Sequence, residues 1–476
     1  MRTISSTLLT AQGADSRTPY IKMLFTSKDG LTTKDFSSDS GVYGDRILSI
    51  DHQEEAYNEY AVVLLSNDDT LVPDITGYWT EIGYGLTTGS GNEYSGTQTS
   101  RLWVKYQRPV SIAGRVFTML ELEGCWKVAE ENPILLGNEP EYKKDYSTDT
   151  IYSIIGYILA ELAMTVDALG GVDDLIINTL TPNFTINSQP YENARGILYR
   201  LIRLTKCYLR CQMGLAFKVV YPQSGDAVVI TYNRDSAPYF YSVIDRQPSL
   251  VPNHFYVFGN AGTDGLWTSI VTGSAVSQPD IDKYRDTPNL AIAPAFTTQD
   301  QCNLLASARL LRARAEQNTG VITVPHDGRV ELYDKVAAVD NFPASPVTYP
   351  SNSLTRVGGL HHIYQPGKYD LEIYLGGVSN TAPAAEYEIT GRFRGTVNEP
   401  AKPTIPIAAS PSVLPSLGIP YTPPPINMST AKVTAPYRPM SIPKLSDLTP
   451  IDKSTSPAPT TPKKPWWQFL SKDIWK

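Results

Sequence analysis

Residues 298–378 pass from one hydrophobic period to another, and that switch constrains the fold more than any other feature of the chain. Thr298 and Gln301 stand three apart at its start, the spacing of a capping box in which each side chain satisfies an orphan backbone N–H. Leu304, Ala308, Leu311 and Ala315 then recur at helical spacing, with Arg309, Arg312, Arg314 and Glu316 between them as a solvated face. Gly320 predicts the helix end, because glycine adopts positive φ at little cost. Beyond it the pattern predicts strands at 321–324, 329–339 and 369–375. The last alternates, placing Tyr369, Leu371, Ile373 and Leu375 on one face.

At 476 residues the chain is too long for one compact core, which predicts three folded units and a tail. Tyr is abundant, 29 against 12 Phe, and suits half-buried strands and contact surfaces, where the ring packs and the hydroxyl stays wet. The formal charge of −7 argues against a protein that grips nucleic acid over its whole surface. Four scattered cysteines, Cys125, Cys207, Cys211 and Cys302, are too few for a secreted disulfide scaffold and predict reduced, mostly buried thiols. Cys207 and Cys211 would share one face if the preceding helix continued through them. The N-terminus lacks a secretory pattern, and nothing approaches the roughly 18 consecutive apolar residues of a membrane span.

Residues 1–147 read as a β-domain, with strands at 20–25, 46–51, 60–65, 78–84 and 101–107. The apolar run 60–65 suits burial on both faces, and the glycine-rich segment 85–100 reads as a long loop or contact element. Residues 148–250 turn helical. Ile151, Ile154, Ile155, Ile158, Leu159 and Leu162 mark one helix, with Ser147, Thr148 and Asp149 as available caps and Gly170-Gly171 as its stop. A second helix begins near Ser188, and a hairpin pairs 215–221 with 227–232. Residues 251–396 open with an aromatic strand, 254–258. Residues 397–476 are different. Sixteen prolines between Ala401 and Pro465 rule out helix and inner strand, leaving an extended segment that reaches as far as roughly 200 Å at about 3.1 Å per residue. It ends in Trp466, Trp467, Phe469, Leu470, Ile474 and Trp475, an aromatic cluster that reads as an anchor for a pocket on another protein, tethered by the proline-rich segment.

Leu65-Ser66-Asn67-Asp68 at a strand end, and then Gly77-Tyr78-Trp79-Thr80-Glu81-Ile82-Gly83-Tyr84-Gly85, resemble the opening β-domain of bacteriophage tail hub proteins. The helix, Pro182-Asn183-Phe184 linker, helix and hairpin of the middle segment are similar in order to a block those proteins insert between two barrel-like domains. Together with residues 298–378, the chain resembles baseplate hubs related to the late-control-D family. The resemblance implies a β-rich α+β fold with two barrel-like β-domains flanking a small helix–hairpin domain. It also implies a homotrimeric ring in the virion tail, assembled in the host cytoplasm. Such a ring joins the tail tube to tip or fibre proteins and leaves a channel through which DNA passes only in transit. A negative protein suits such a channel. No cofactor and no catalysis are implied.

The sequence lacks Walker A, H-E-x-x-H and G-x-S-x-G patterns and any paired C-x-x-C. His361-His362 resembles a metal fragment, but neighbours on a strand point to opposite faces, which favours a structural or surface role. Glu54-Glu55 and Asp68-Asp69 read as solvated loop charges. Two other functions compete with the hub. A receptor- or carbohydrate-binding tail protein would use Tyr84 or Tyr94, and a tail-associated cell-wall hydrolase would need a carboxylate pair.

Overall fold

Alternating side chains, half buried and half facing outward, build most of the secondary structure in the computed structural model. It describes residues 1–376 except 15, 113, 135–142, 171–174, 183, 188–191, 247–249, 261–269, 294–295, 318 and 342–345. In the strand Asn58–Ser66, Ala61, Val63 and Leu65 are buried while Tyr60, Val62 and Leu64 lie on the half-covered face. This run is therefore buried on one side, as expected of an antiparallel sheet and not of the two-sided burial its composition suggested.

Thirteen strands join in one sheet. Its order is Ser242–Arg246, Thr319–Pro325, Lys368–Gly376, Val357–Gln365, Ile47–Glu55, Asn58–Ser66, Arg115–Gly124, Leu102–Ile112, Trp79–Thr80, Thr18–Thr26, Ile82–Thr88 and Gly91–Tyr94, with Thr33–Asp35 pairing to one side. The N-terminal and C-terminal β-structures are thus continuous through antiparallel pairing of Val357–Gln365 with Ile47–Glu55. Among the described residues no sheet closes on itself. The chain is β-rich α+β, with its helices confined mainly to two places.

The first is the middle segment. Helix Ile151–Glu161 is capped by Thr150 and helix Ala194–Ile202 by Asn193, each side chain accepting from a backbone N–H three residues on. Their apolar faces share one core with Trp126, Phe217, Phe255 and Ile322, so that core joins the helices to the helix after the first β-structure, the middle hairpin and two later strands. The second is helix Gln299–Glu316, whose capping box between Thr298 and Gln301 forms as the spacing predicted. It lies across the three-stranded sheet Val271–Val276, His254–Gly259 and Pro288–Ala293. Gly273 permits that approach: a Cβ there would stand 2.3 Å from the Asn303 backbone nitrogen.

Several expectations change. The Gln299–Glu316 helix buries Cys302, Leu305, Ala306, Ala308, Arg312 and Ala315, whereas Leu304 is exposed. Its C-cap is Gln317, and Gly320 lies inside the strand Thr319–Pro325, where a Cβ would come within 2.6 Å of the Ile244 carbonyl oxygen. Close approach, not positive φ, is what glycine supplies there. The predicted strand 329–339 shortens to Val336–Asp340. Segment 85–100 is only in part a loop, since Ile82–Thr88 and Gly91–Tyr94 form an edge hairpin and residues 95–100 follow it without regular structure. The middle hairpin pairs Tyr208–Gln212 with Ala216–Val220, while Ile230–Asn233 runs parallel to Val336–Asp340. Cys211 is accordingly on a strand and not on a helix continued from Cys207. Helix Ile151–Glu161 stops at Leu162, well before Gly170-Gly171.

Candidate functional site

The junction between the two β-structures is held by a buried polar network. His362, from Val357–Gln365, stands directly opposite His52, from Ile47–Glu55, in the ladder that fuses them. Both are completely buried, and Arg2, Glu54, Glu59, Tyr84, Ser100 and His326 around them are buried too. The strand Ile47–Glu55 explains part of this: Ile50, His52 and Glu54 share its buried face at the two-residue period. The predicted strand ended at Asp51 and left Glu54 in a loop. Continuing the alternation would have turned both His52 and Glu54 inward.

Hydrogen bonds run through the cluster in sequence. The Arg2 guanidinium donates to both Glu54 oxygens, at 2.8 and 3.0 Å. The His362 Nε2 lies 2.9 Å from Glu54, and its Nδ1 lies 2.9 Å from the His326 Nε2. Since an ionised carboxylate only accepts, the simplest tautomers have His362 donating to Glu54 and His326 donating to His362. The His52 Nδ1 lies 3.0 Å from the Tyr84 hydroxyl, its Nε2 faces Glu59, and Ser100 donates to Glu59. Rings stack as well: Tyr84 on His362 at 4.6 Å, His52 on His362 at 5.0 Å and His326 on Tyr369 at 4.4 Å.

Electrostatics fix which groups carry charge. Burial pushes His362 down to about 4, overcoming the attraction of Glu54, and it also holds His326 well below the ordinary histidine range. Burial opposes the Glu54 charge, but Arg2 and His362 outweigh it and keep that carboxyl well below its ordinary value. Two neutral histidines therefore bridge an Arg–Glu ion pair to the aromatic stack. Paired this completely, the groups cost little to bury and penalise any slip of register, which would turn His362 to the opposite face.

His52, Glu54 and His362 also bring three potential metal-binding atoms within 4.8 Å of one another. The arrangement commits those atoms elsewhere. Arg2 occupies both carboxylate oxygens, and His362 bonds the same group. The guanidinium supplies the positive charge that a cation would bring. His361, on the opposite face as expected, bridges Asp51 and Glu372, which raise it to about 9 against the pull of burial.

A second set of contacts ties the middle hairpin and helix to this frame. Arg312 lies buried and donates to the carbonyls of Ile202 and Thr205 at 2.9 and 3.1 Å, closing the C-terminal end of helix Ala194–Ile202. Its guanidinium also sits 4.3 Å above the Tyr208 ring. The solvated arginine face expected from sequence is thus wrong at Arg312; Arg314 forms an ion pair with Asp280. Arg210 reaches Glu331 at 3.2 Å and Asp334 at 3.4 Å, and Gly214 donates its N–H to Glu81 at 2.8 Å.

Of the other residues singled out, Asp68 and Asp69 lie in a turn and pair with Arg115 and Arg46. Tyr84 is buried in the histidine stack, so it is not a surface residue available to a carbohydrate. The anchor residues Trp466, Trp467, Phe469, Leu470, Ile474 and Trp475 lie outside the described residues. Among the described residues no helix is long and apolar enough to cross a membrane.

The fold is that of phage tail proteins. It is similar to a tail protein from Neisseria meningitidis MC58 at 11% identity and a TM-score of 0.52, covering 76% of this chain and 96% of that one. It is also similar to the 43 kDa tail protein of prophage MuSo2 from Shewanella oneidensis, at 9% identity and a TM-score of 0.51, covering 76% and 98%. No protein-family model matches the sequence, and no curated protein matches it.

Proposed function

We propose that this chain is a structural protein of a virion tail, a baseplate hub whose subunits form a homotrimeric ring. The observation that carries the reading is the continuous sheet: two β-structures far apart in sequence are locked through His52 and His362 into one body. A subunit built so offers two β-modules at fixed spacing, and three subunits offer six, which suits a junction between a six-fold tube and a three-fold tip. The likeness of fold to two tail proteins over three quarters of the chain supports the same reading.

Residues 1–147 and 251–396 supply the two modules in this account, and residues 148–250 the block between them. Residues 397–476 act as a tether, whose terminal tryptophans dock on a tip or fibre protein. The ring's role is geometric and not catalytic: it ends the tube, seats the tip and leaves a channel for DNA. Light scattering on the purified chain, with and without residues 397–476, tests it. A full-length mass near three times 52.5 kDa is expected, and a truncated chain that still measures three times its own, smaller mass. A chain that stays monomeric at high concentration would overturn the ring.

A further inference from the structure

The thirteen-stranded sheet ends at Ser242–Arg246, and among the described residues no strand pairs with the far side of that element. The element is antiparallel to Thr319–Pro325, which is antiparallel to Lys368–Gly376, so Arg246, Thr319 and Gly376 lie level at one end of the three strands. Two features of this edge call for a neighbour. Ile244 is 57% exposed, and with Val321 and Tyr374 level beside it in the ladder it makes an apolar row on the outer face. On the other face, one carboxylate oxygen of Asp245 is shielded from solvent and accepts no hydrogen bond from the described residues. Burial accordingly holds this carboxyl above its ordinary value. A polar atom shielded in that way costs free energy until a donor reaches it.

The chain itself carries a matching segment. Between Pro383 and Pro400, the apolar residues Tyr387, Ile389, Phe393 and Val397 alternate with charged and hydroxyl residues, Arg392 and Arg394 among them. That is the two-residue period of a strand covered on one face. We propose that residues 391–395 of this chain add to the open edge of Ser242–Arg246 as an antiparallel strand, setting Phe393 beside Ile244 and Arg392 beside Asp245. Opposite residues of such a ladder share a face, so one register meets both demands: Arg392 across from Asp245 brings Phe393 across from Ile244 and Gly391 across from Arg246. The direction follows from where the sheet ends, because a segment arriving from Gly376 enters at the Arg246 end. The reach is ample. Three strand spacings are about 14 Å, and residues 377–390 extend to about 45 Å. Tethering within one chain gives the segment a high effective concentration at this edge. The added strand also covers a row of backbone groups on which foreign strands would otherwise pair. It belongs to a single subunit, so it does not depend on the ring.

Hydrogen exchange on the full chain tests the proposal. Amides of residues 392–396 are expected to exchange at least tenfold more slowly than in the urea-unfolded chain, and Arg392→Asp to abolish that protection. Equal rates in the wild type, or protection that survives Arg392→Asp, overturn it. A second measurement fixes the place and the chain. Ile244→Cys combined with Phe393→Cys is oxidised, run on a non-reducing gel and mapped by peptide mass. The new pair is expected to link within one chain, leaving its mass at 52.5 kDa. It is expected to form at least tenfold faster than the pair made by Leu290→Cys with Phe393→Cys, since Leu290 is as exposed as Ile244 but lies on another sheet. A link between two chains, or equal rates for the two pairs, overturns the proposal. The exchange of the wild-type chain needs no variant, so a double-cysteine chain that does not fold leaves the test intact.

Discussion

Lowering the pH from about 7 to about 5 probes the junction between Ile47–Glu55 and Val357–Gln365, because His362 is held neutral there. An unfolded histidine titrates near 6.5, whereas burial takes His362 down to about 4 in the fold. Between those values the unfolded chain binds a proton that the folded chain does not. Stability therefore falls as the pH falls through that window, and the loss is complete below about 4. At about 1.4 kcal/mol per pH unit the gap is worth about 3 kcal/mol, of which about 2 kcal/mol is lost between pH 7 and pH 5. His326 is depressed by the same burial and adds to the loss. His361 opposes it: raised to about 9 by Asp51 and Glu372 despite burial, it returns about 1 kcal/mol over the same interval. A net loss of at least about 1 kcal/mol is expected, read as a lower urea midpoint by tryptophan fluorescence. His362→Phe sharpens the test, since the ring keeps its stack on Tyr84 but cannot titrate. At pH 7 the variant loses about 1–3 kcal/mol, because Glu54 and His326 each lose a partner, but its further loss at pH 5 shrinks by about 2 kcal/mol. Equal midpoints for the wild type at both pH values, or an unchanged acid loss in the variant, would refute the reasoning.

Three other perturbations follow from the packing. Arg312→Met takes the guanidinium away from the Thr205, Cys207 and Ile202 carbonyls, of which Ile202 keeps Thr205 as a donor, and is expected to cost about 3 kcal/mol, read as a lower denaturation midpoint. Gly273→Ala forces a Cβ against the Asn303 backbone, and a cost of about 2 kcal/mol should appear as faster amide exchange in Val271–Val276. Thr298→Ala removes the capping box and costs about 1 kcal/mol, with exchange quickening in the first turn of Gln299–Glu316.

Short-range chemistry made much of the fold legible. The Thr298–Gln301 cap, the burial of Leu371, Ile373 and Leu375 and the aromatic strand His254–Gly259 each depend on neighbours a few residues away. What failed was long-range. Ile230–Asn233 looked like half of a hairpin, but its partner is Val336–Asp340, about a hundred residues on, and no local turn signals such a parallel pairing. Arg312 read as solvated because its carbonyl partners lie on another helix. Glu54 read as a loop charge because Arg2 and His362, which make its burial tolerable, come from opposite ends of the chain. Polar residues are assigned outward by default, so a mutually satisfied buried cluster is the hardest feature to read from one sequence.

The ladder between Ile47–Glu55 and Val357–Gln365 also sets a timetable for synthesis. His362 and Glu54 are 308 residues apart, so the earlier strand leaves the ribosome roughly 15–60 s before its partner exists, at about 5–20 residues per second. During that wait one edge of Ile47–Glu55 is an open row of backbone donors and acceptors, the kind of surface on which strands from other nascent chains pair. Of the buried partners at that junction only His362 and His326 are made late; Arg2, Tyr84 and Glu59, which pair with Glu54 and His52, belong to the same early segment as the waiting strand.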